Sequence, residues 1–258
     1  MSAAPRAVLF GLGLIGGSIG IGLRRAGWRV GFIDPRVELT NAVAARAADE
    51  AGDPAAADLV VLAVPVDAAI SILRSNLPPG ILATSASSLM APLAEAAEGT
   101  KARFIPGHPM AGSERSGLAA ADGDLFRGRA WFFGAPSIDP LLERLVSDLG
   151  ATAVPVDPAA HDRAVALTSH LPQVLSIALA SVVAREIGSV GAFTGEGLKT
   201  FLRLAGSSHE VWSSTLESGG GEIARWGEEV FEVARRIARG EGAEDFERAN
   251  ELWRKLSS

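Results

Sequence analysis

The 258-residue chain contains no cysteine and no tyrosine, has only four histidines, and carries a net charge of −6. Without cysteine there is no disulfide framework, no thiolate nucleophile and no cysteine-ligated metal. Without tyrosine, no phenol can act as general acid. The surplus of acid over base leaves no basic footprint for nucleic acid, so an anionic substrate must be held by a few local arginines. No run of about 18 consecutive apolar residues occurs, and no membrane span is expected. The N-terminal apolar run follows a single arginine, as in a signal peptide, but its Gly-x-Gly turn reads better as strand, turn and helix. No His-x-x-x-His pair or carboxylate cluster has metal spacing, so no metal is expected. The cytoplasm is the expected compartment. With 48% apolar and 21% charged residues, the composition is that of an ordinary globular protein, with length for one large domain or two smaller ones.

What is present is organised around residues 6–34. Val8, Leu9 and Phe10 form a short apolar run suited to a buried parallel strand, and it stops at Gly11-Leu-Gly13-Leu-Ile-Gly16. Gly11 permits the tight turn, Gly13 lets a pyrophosphate approach bare backbone, and Gly16 lets the following helix pack close to the strand. The helix opening at Leu14 and Ile15 points its first N–H groups at that phosphate. A second strand, 28–33, ends in Asp34, where a ribose-binding acid belongs. A glycine turn alone is weak evidence. Here strand, turn, helix and terminal acid occur in register, which predicts a dinucleotide site. Asp34 favours NAD over NADP, because a carboxylate accepts from the 2′-hydroxyl and repels a 2′-phosphate; Arg36, two residues on, works against that preference.

Further along, the pattern predicts helices at 37–48, 67–76, 91–97 and 140–149, and strands at 58–64, 81–84, 103–106, 130–133 and 153–156. This alternation describes an α/β doubly wound parallel sheet over residues 1–156. From residue 157 the period is helical throughout. Asp157-Pro158 opens a helix, and further helices are expected at 222–239 and 243–256, with Gly219-Gly220-Gly221 and Gly240-Glu-Gly242 as breaks. Residues 157–258 therefore form an all-helical domain whose apolar faces suit a subunit interface, and a homodimer is expected.

Ligands of an open parallel sheet bind beyond the C-terminal ends of its strands. Ser85, Ser87 and Ser88 follow the fourth strand. His108 follows the fifth, in a loop running from Gly107 to Gly117. Oxidation of an alcohol by hydride transfer needs a neutral base near the hydroxyl, and imidazole suits that task; a loop histidine bonded to backbone is the plainer alternative. His161 and His170 are nine residues apart and fall on opposite faces of a straight helix. His170 and Gln173 share a face, and Pro172 implies a kink that opens space beside a ligand. Arg203 lies in an apolar stretch, where it either snorkels or clamps a carboxylate.

GLGLIGGS at 11–18, GHPMAGSERSG at 107–117, HDRAVALTSHLP at 161–172, and Arg203 with Trp212 nine residues later together resemble the prephenate and arogenate dehydrogenase family. The resemblance implies a Rossmann domain followed by a helical dimerisation domain, and NAD(P)-dependent oxidative decarboxylation on the route to tyrosine. It implies His108 as the catalytic histidine at the ring hydroxyl and Ser88 as the serine that orients that hydroxyl. It also implies Glu114 as an acid near the site entrance and Arg203 as the arginine that binds a substrate carboxylate. Two motifs depart from the family pattern. TDVGSVK is replaced by Thr84-Ser-Ala-Ser-Ser-Leu-Met90, and SHLPH ends in Gln173. The expected substrate is prephenate rather than arogenate, since neutral Gln173 offers no charge to an ammonium group. The alternatives are an NAD-dependent β-hydroxy-acid dehydrogenase, for which Lys199 is the candidate lysine, and a non-catalytic dinucleotide-binding module.

Overall fold

The structure, a computed structural model, describes residues 4–75, 77–113 and 115–257. It divides into two compact units, Met1–Val165 with Gly206–Ser218, and Ala166–Ala205 with Gly219–Ser258. In the first unit β1 (Arg6–Phe10), α1 (Leu14–Arg25) and β2 (Arg29–Ile33) are followed by α2 (Leu39–Ala44), β3 (Glu50–Ala51), β4 (Leu59–Leu62) and α3 (Val66–Ser75). Then come β5 (Leu82–Ser85), α4 (Ala91–Ala97), β6 (Arg103–Ile105), β7 (Gly107–Pro109), β8 (Ala130–Phe133), α5 (Pro140–Asp148), β9 (Thr152–Pro155) and α6 (Pro158–Val165).

Six strands form an all-parallel sheet in the order β3-β2-β1-β4-β5-β6. Alternating side chains of β1 feed the two sides: Ala7 and Leu9 join the core with Ile19, Leu23, Trp28 and Phe133, while Val8 and Phe10 join Leu62, Leu73 and Leu93. Both faces are therefore apolar, as a doubly wound sheet requires. The strand order reverses direction at β1 and β4, which opens the crevice where such sheets bind ligands.

Two features differ from the sequence expectation. Residues 130–133 do not extend the parallel sheet; they form the middle of a second, three-stranded sheet, antiparallel to β7 and parallel to β9. The helix expected over 37–48 is confined to α2, because Arg46 takes up φ of 58° and ends it. The short β3 pairs with β2 over only two residues and carries no periodic signal.

In the second unit a π-helical turn, Ala166–His170, leads into α7 (Leu171–Val190), α8 (Glu196–Phe201) and a 3-10 turn, Leu202–Gly206. The helix α9 (His209–Ala238) has its first ten residues in the first unit and the rest in the second, where α10 (Ala243–Ser257) follows. The expected break at Gly219-Gly220-Gly221 does not occur, and α9 runs through it. Each glycine costs a helix only about 1 kcal/mol, and the apolar stripe of Trp212, Leu216, Ile223 and Trp226 continues across. Gly240 does end α9, with φ of 82°. Just before Pro172, where the sequence predicts a kink, a π-helical turn precedes the helix that carries the proline in its first turn. No membrane span is expected from the sequence, yet one helical run is long and apolar enough to cross a membrane. By length and composition alone, the continuous helical run Pro158–Gly188 meets that test. Its apolar residues are interrupted rather than consecutive, so counting an unbroken run does not find it.

Candidate active site

The loop between β1 and α1 is shaped by contacts only glycine permits. Gly11 has φ of 85°, and a Cβ there would lie 2.4 Å from the carbonyl oxygen of Ala63. A Cβ on Gly16 would lie 2.0 Å from the carbonyl oxygen of Gly11, so the first turn of α1 rests on the loop itself. Gly13, by contrast, faces open space, and no side chain caps the helix that follows, which opens at Leu14 and Ile15. This is bare backbone at a helix N-terminus, suited to a phosphate. Asp34 is tied to the same loop: its Oδ2 accepts from the N–H of Leu12 and its Oδ1 from the N–H of Arg36, both at 2.8 Å. A carboxylate has about four acceptor positions, so both oxygens retain capacity for ribose hydroxyls. The Arg36 guanidinium pairs with Glu210 at 3.2 Å. The donor and acceptor set fits a dinucleotide with an unmodified 2′-hydroxyl.

His108 lies within β7 rather than in a loop. Pro106 separates it from β6, and the backbone of residues 107–109 finds its partner in β8, with His108 opposite Phe132. The turn after β5 is stitched to this strand. The Ser85 hydroxyl donates to the Gly107 carbonyl at 3.1 Å and accepts from the Gly107 N–H at 3.0 Å, while the Ser87 N–H also donates to that carbonyl. Half-buried Ser88 is the next residue of this turn, so the segments carrying Ser88 and His108 are joined by their immediate neighbours.

One pair was not singled out by the sequence reading. The Nδ1 of His108 lies 2.9 Å from Nε2 of His161, and Nδ1 of His161 lies 2.9 Å from Oδ1 of Asp162. The Asp162 carboxylate also accepts from the N–H groups of Met90 and Ala91 at the start of α4, at 2.8 to 3.1 Å. His161 is buried, its ring edge-on to His108 and packed beside Phe132. The adjacent His-Asp at the head of HDRAVALTSHLP was the available signal. A spacing of 53 residues from His108 gives no hint of the contact.

In the second unit, His170 is buried at the end of the π turn. Gln173 is buried as well, and its Nε2 donates to the carbonyl of Leu204 at 2.6 Å. One turn along α7, the Ser176 hydroxyl donates to the carbonyl of Phe201 at 2.9 Å. The two bonds bracket exposed Arg203, so α7 fixes the turn that presents it. Lys199 is exposed and paired with Glu196 on α8. Glu114 lies outside the described residues. Among the described residues, no group of three or more metal-ligating side chains comes together.

Residues 19–139 match the nucleotide-binding domain of prephenate dehydrogenase, and residues 157–251 match its dimerisation domain. The chain belongs to the prephenate dehydrogenase family. It is 31% identical to a prephenate dehydrogenase of Lactococcus lactis over 82% of this chain and 64% of that protein. It is also 31% identical to a probable prephenate dehydrogenase of Streptomyces niveus, over 92% of this chain and 71% of that protein. The chain thus spans somewhat under two thirds of the length of the Lactococcus relative. The fold is shared with a prephenate dehydrogenase of A. aeolicus solved in complex with hydroxyphenyl propionate and NAD+, at TM-score 0.83, 24% identity and coverage of 99% of this chain and 98% of that one.

Against this family's pattern the three departures, Ser85, Met90 and Gln173, now have physical content. Ser85 stands where the acid is expected, and it both donates to and accepts from Gly107; a carboxylate could only accept. Met90, in place of the lysine, is fully buried, and its backbone N–H rather than its side chain meets Asp162. Gln173, in place of the histidine, spends its amide N–H on the backbone that flanks Arg203.

Proposed function

We propose that this chain is an NAD-dependent prephenate dehydrogenase, converting prephenate to 4-hydroxyphenylpyruvate by oxidative decarboxylation, with arogenate, giving tyrosine, as the alternative substrate. The observation that carries this reading is His108, held by the GHPMAG segment at the C-terminal side of the sheet whose glycine loop and Asp34 fit a dinucleotide. Gly11, Gly13, Leu14, Ile15, Gly16 and Asp34 would hold the cofactor, which when bound would supply a hydride acceptor for the ring carbon bearing the hydroxyl. His108 draws the hydroxyl proton as that carbon becomes a carbonyl carbon, and Ser88 orients the oxygen. The resulting ring is electron-poor and loses its carboxylate as carbon dioxide. Aromaticity is restored, and the proton returns from His108 to the oxygen. Since aromatisation drives the reaction, the protein need only align and polarise.

Arg203 holds a substrate carboxylate by a bidentate pair. His170 and Gln173 act beside it on the second unit, with Gln173 contributing through the turn that presents Arg203; Glu114 is retained as the entrance acid. Prephenate is favoured because Gln173 brings no negative charge for an ammonium group. The partner is a second copy of the chain, joined through the helical unit, and the compartment is the cytoplasm. The β-hydroxy-acid alternative gains nothing from Lys199, whose ammonium is engaged with Glu196 at 2.6 Å on an exposed helix. Replacing Arg203 with alanine tests the carboxylate assignment. Loss of a charged hydrogen-bonding pair, about 1.5 to 3 kcal/mol, raises the KM for prephenate some 10- to 150-fold while leaving the affinity for NAD unchanged. An unaltered KM removes Arg203 from the site.

A further inference from the structure

We infer that Asp162 and His161 form a positioning relay that sets the tautomer of His108 and so makes it a base on its substrate side; the kinetic part of this inference rests on the function proposed above. The direction of the chain of hydrogen bonds follows from its far end. Asp162 accepts N–H groups from Met90 and Ala91 at the head of α4 and meets Nδ1 of His161 with Oδ1. A carboxylate can only accept, so the Nδ1 of His161 carries hydrogen, and in the neutral ring its Nε2 is then an acceptor. Across 2.9 Å that acceptor faces Nδ1 of His108, which must then be the protonated nitrogen. The lone pair of His108 is thereby left on Nε2, the atom that takes a proton from a substrate hydroxyl. When it does, the hydroxyl O–H bond breaks, an Nε2–H bond forms, and the hydrogen on Nδ1 stays in place, pointing along the relay toward the partly buried Asp162 carboxylate that stabilises the imidazolium.

The whole relay lies within one compact unit. It is braced by the T-shaped contact of the two imidazoles, by Phe132 on β8, and by the start of α4. His161 and Asp162 are positioning residues; of the three, only His108 meets the substrate. Asp162→Asn has a specific consequence. The Ala91 N–H bonds Oδ2 alone and the Met90 N–H spans both oxygens, so the amide oxygen is required near the place of Oδ2, which turns the amide NH2 toward His161. His161 must then accept at Nδ1 and donate from Nε2, His108 must accept at Nδ1, and its Nε2 becomes an N–H. The base is lost with little change in shape.

The test is a long-range ¹H–¹⁵N correlation spectrum of the imidazoles in the full chain, which has only four histidines, alongside steady-state kinetics with prephenate and NAD. The expected spectrum shows hydrogen on Nδ1 of both His108 and His161 in the wild type, and on Nε2 of both in Asp162→Asn. The expected kinetics show kcat reduced by about 10²-fold or more in that variant, with the KM for prephenate and the affinity for NAD within about twofold. Wild-type His108 protonated on Nε2 overturns the relay whether or not Asp162→Asn folds. So does a variant with wild-type kcat. A wild type without turnover whose histidines show the expected tautomers supports the relay and overturns the functional proposal instead.

Discussion

His108→Asn removes the proton acceptor and keeps a side chain of similar reach. Its kcat is expected to fall by about 10² to 10⁴, with NAD affinity retained in a titration of cofactor fluorescence or heat. Parallel loss of NAD binding would mean that His108 supports the fold rather than the chemistry. Gln173→Ala tests a different role. The Leu204 carbonyl loses its donor, the turn carrying Arg203 loosens, and the KM for prephenate rises while kcat changes less; a kcat defect alone would place Gln173 at the reacting atoms. These residues differ in how far the sequence discloses them. Gly11, Gly13, Gly16 and Asp34 are legible because a glycine loop has a local logic, each residue acting within some 20 positions of the next. His108 stands out by rarity among four histidines. The helical spacing of His161 sets it only against His170, whereas its partner lies on β7, and only the tertiary packing of α6 against α4 and β8 brings the rings together.

At the scale of elements, two glycines in helices are expected to respond to the same substitution with opposite sign. A Cβ on Gly20 would lie 2.0 Å from the backbone carbonyl of Ala47, which cannot move aside without shifting the chain after α2. Gly20→Ala is expected to cost about 1 to 3 kcal/mol and to lower Tm in thermal denaturation. Gly220, in the middle of α9, has nothing within 4 Å of an added Cβ and no positive φ. Gly220→Ala is expected to stabilise by about 0.5 to 1 kcal/mol and to raise Tm. A lowered Tm for Gly220→Ala would mean that α9 bends there for a purpose. The same contrast explains why the three-glycine stretch was read as a break: glycine raises the cost of a helix without forbidding it, and the flanking apolar stripe outweighs it. The placement of β8 was illegible for another reason. AWFF reads as a buried strand in either sheet, and nothing local selects the antiparallel partner at Gly107–Pro109.

Across the whole molecule, the helical unit carries large apolar side chains that face outward: Val182, Phe193, Phe246, Trp253 and Leu256 are each half exposed or more. A face of that kind is normally covered. With residues 157–251 matching a dimerisation domain, a second copy is the expected cover. Trp253→Glu is expected to convert a dimer to a monomer in light scattering coupled to size exclusion; a wild type that is already monomeric contradicts this. The hairpin of α9 and α10 is stapled by Asp245, whose carboxyl is held below its ordinary range by hydrogen bonds from Arg248 and Arg236. A depressed carboxyl stabilises the fold above its unfolded pKa and loses that contribution as pH falls through its folded value. The staple is therefore intact at neutral pH and fades only in acid below about pH 4.

The most direct test of the central claim is the appearance of NADH absorbance when the purified chain is given NAD with prephenate and, separately, with arogenate. Turnover is expected with prephenate, weaker or none with arogenate, and the signal is expected to collapse in His108→Asn. Absence of turnover with either substrate, in a protein that binds NAD tightly, would contradict it. The departures at Ser85, Met90 and Gln173 would then mark a member of the family that has exchanged its reaction for another role.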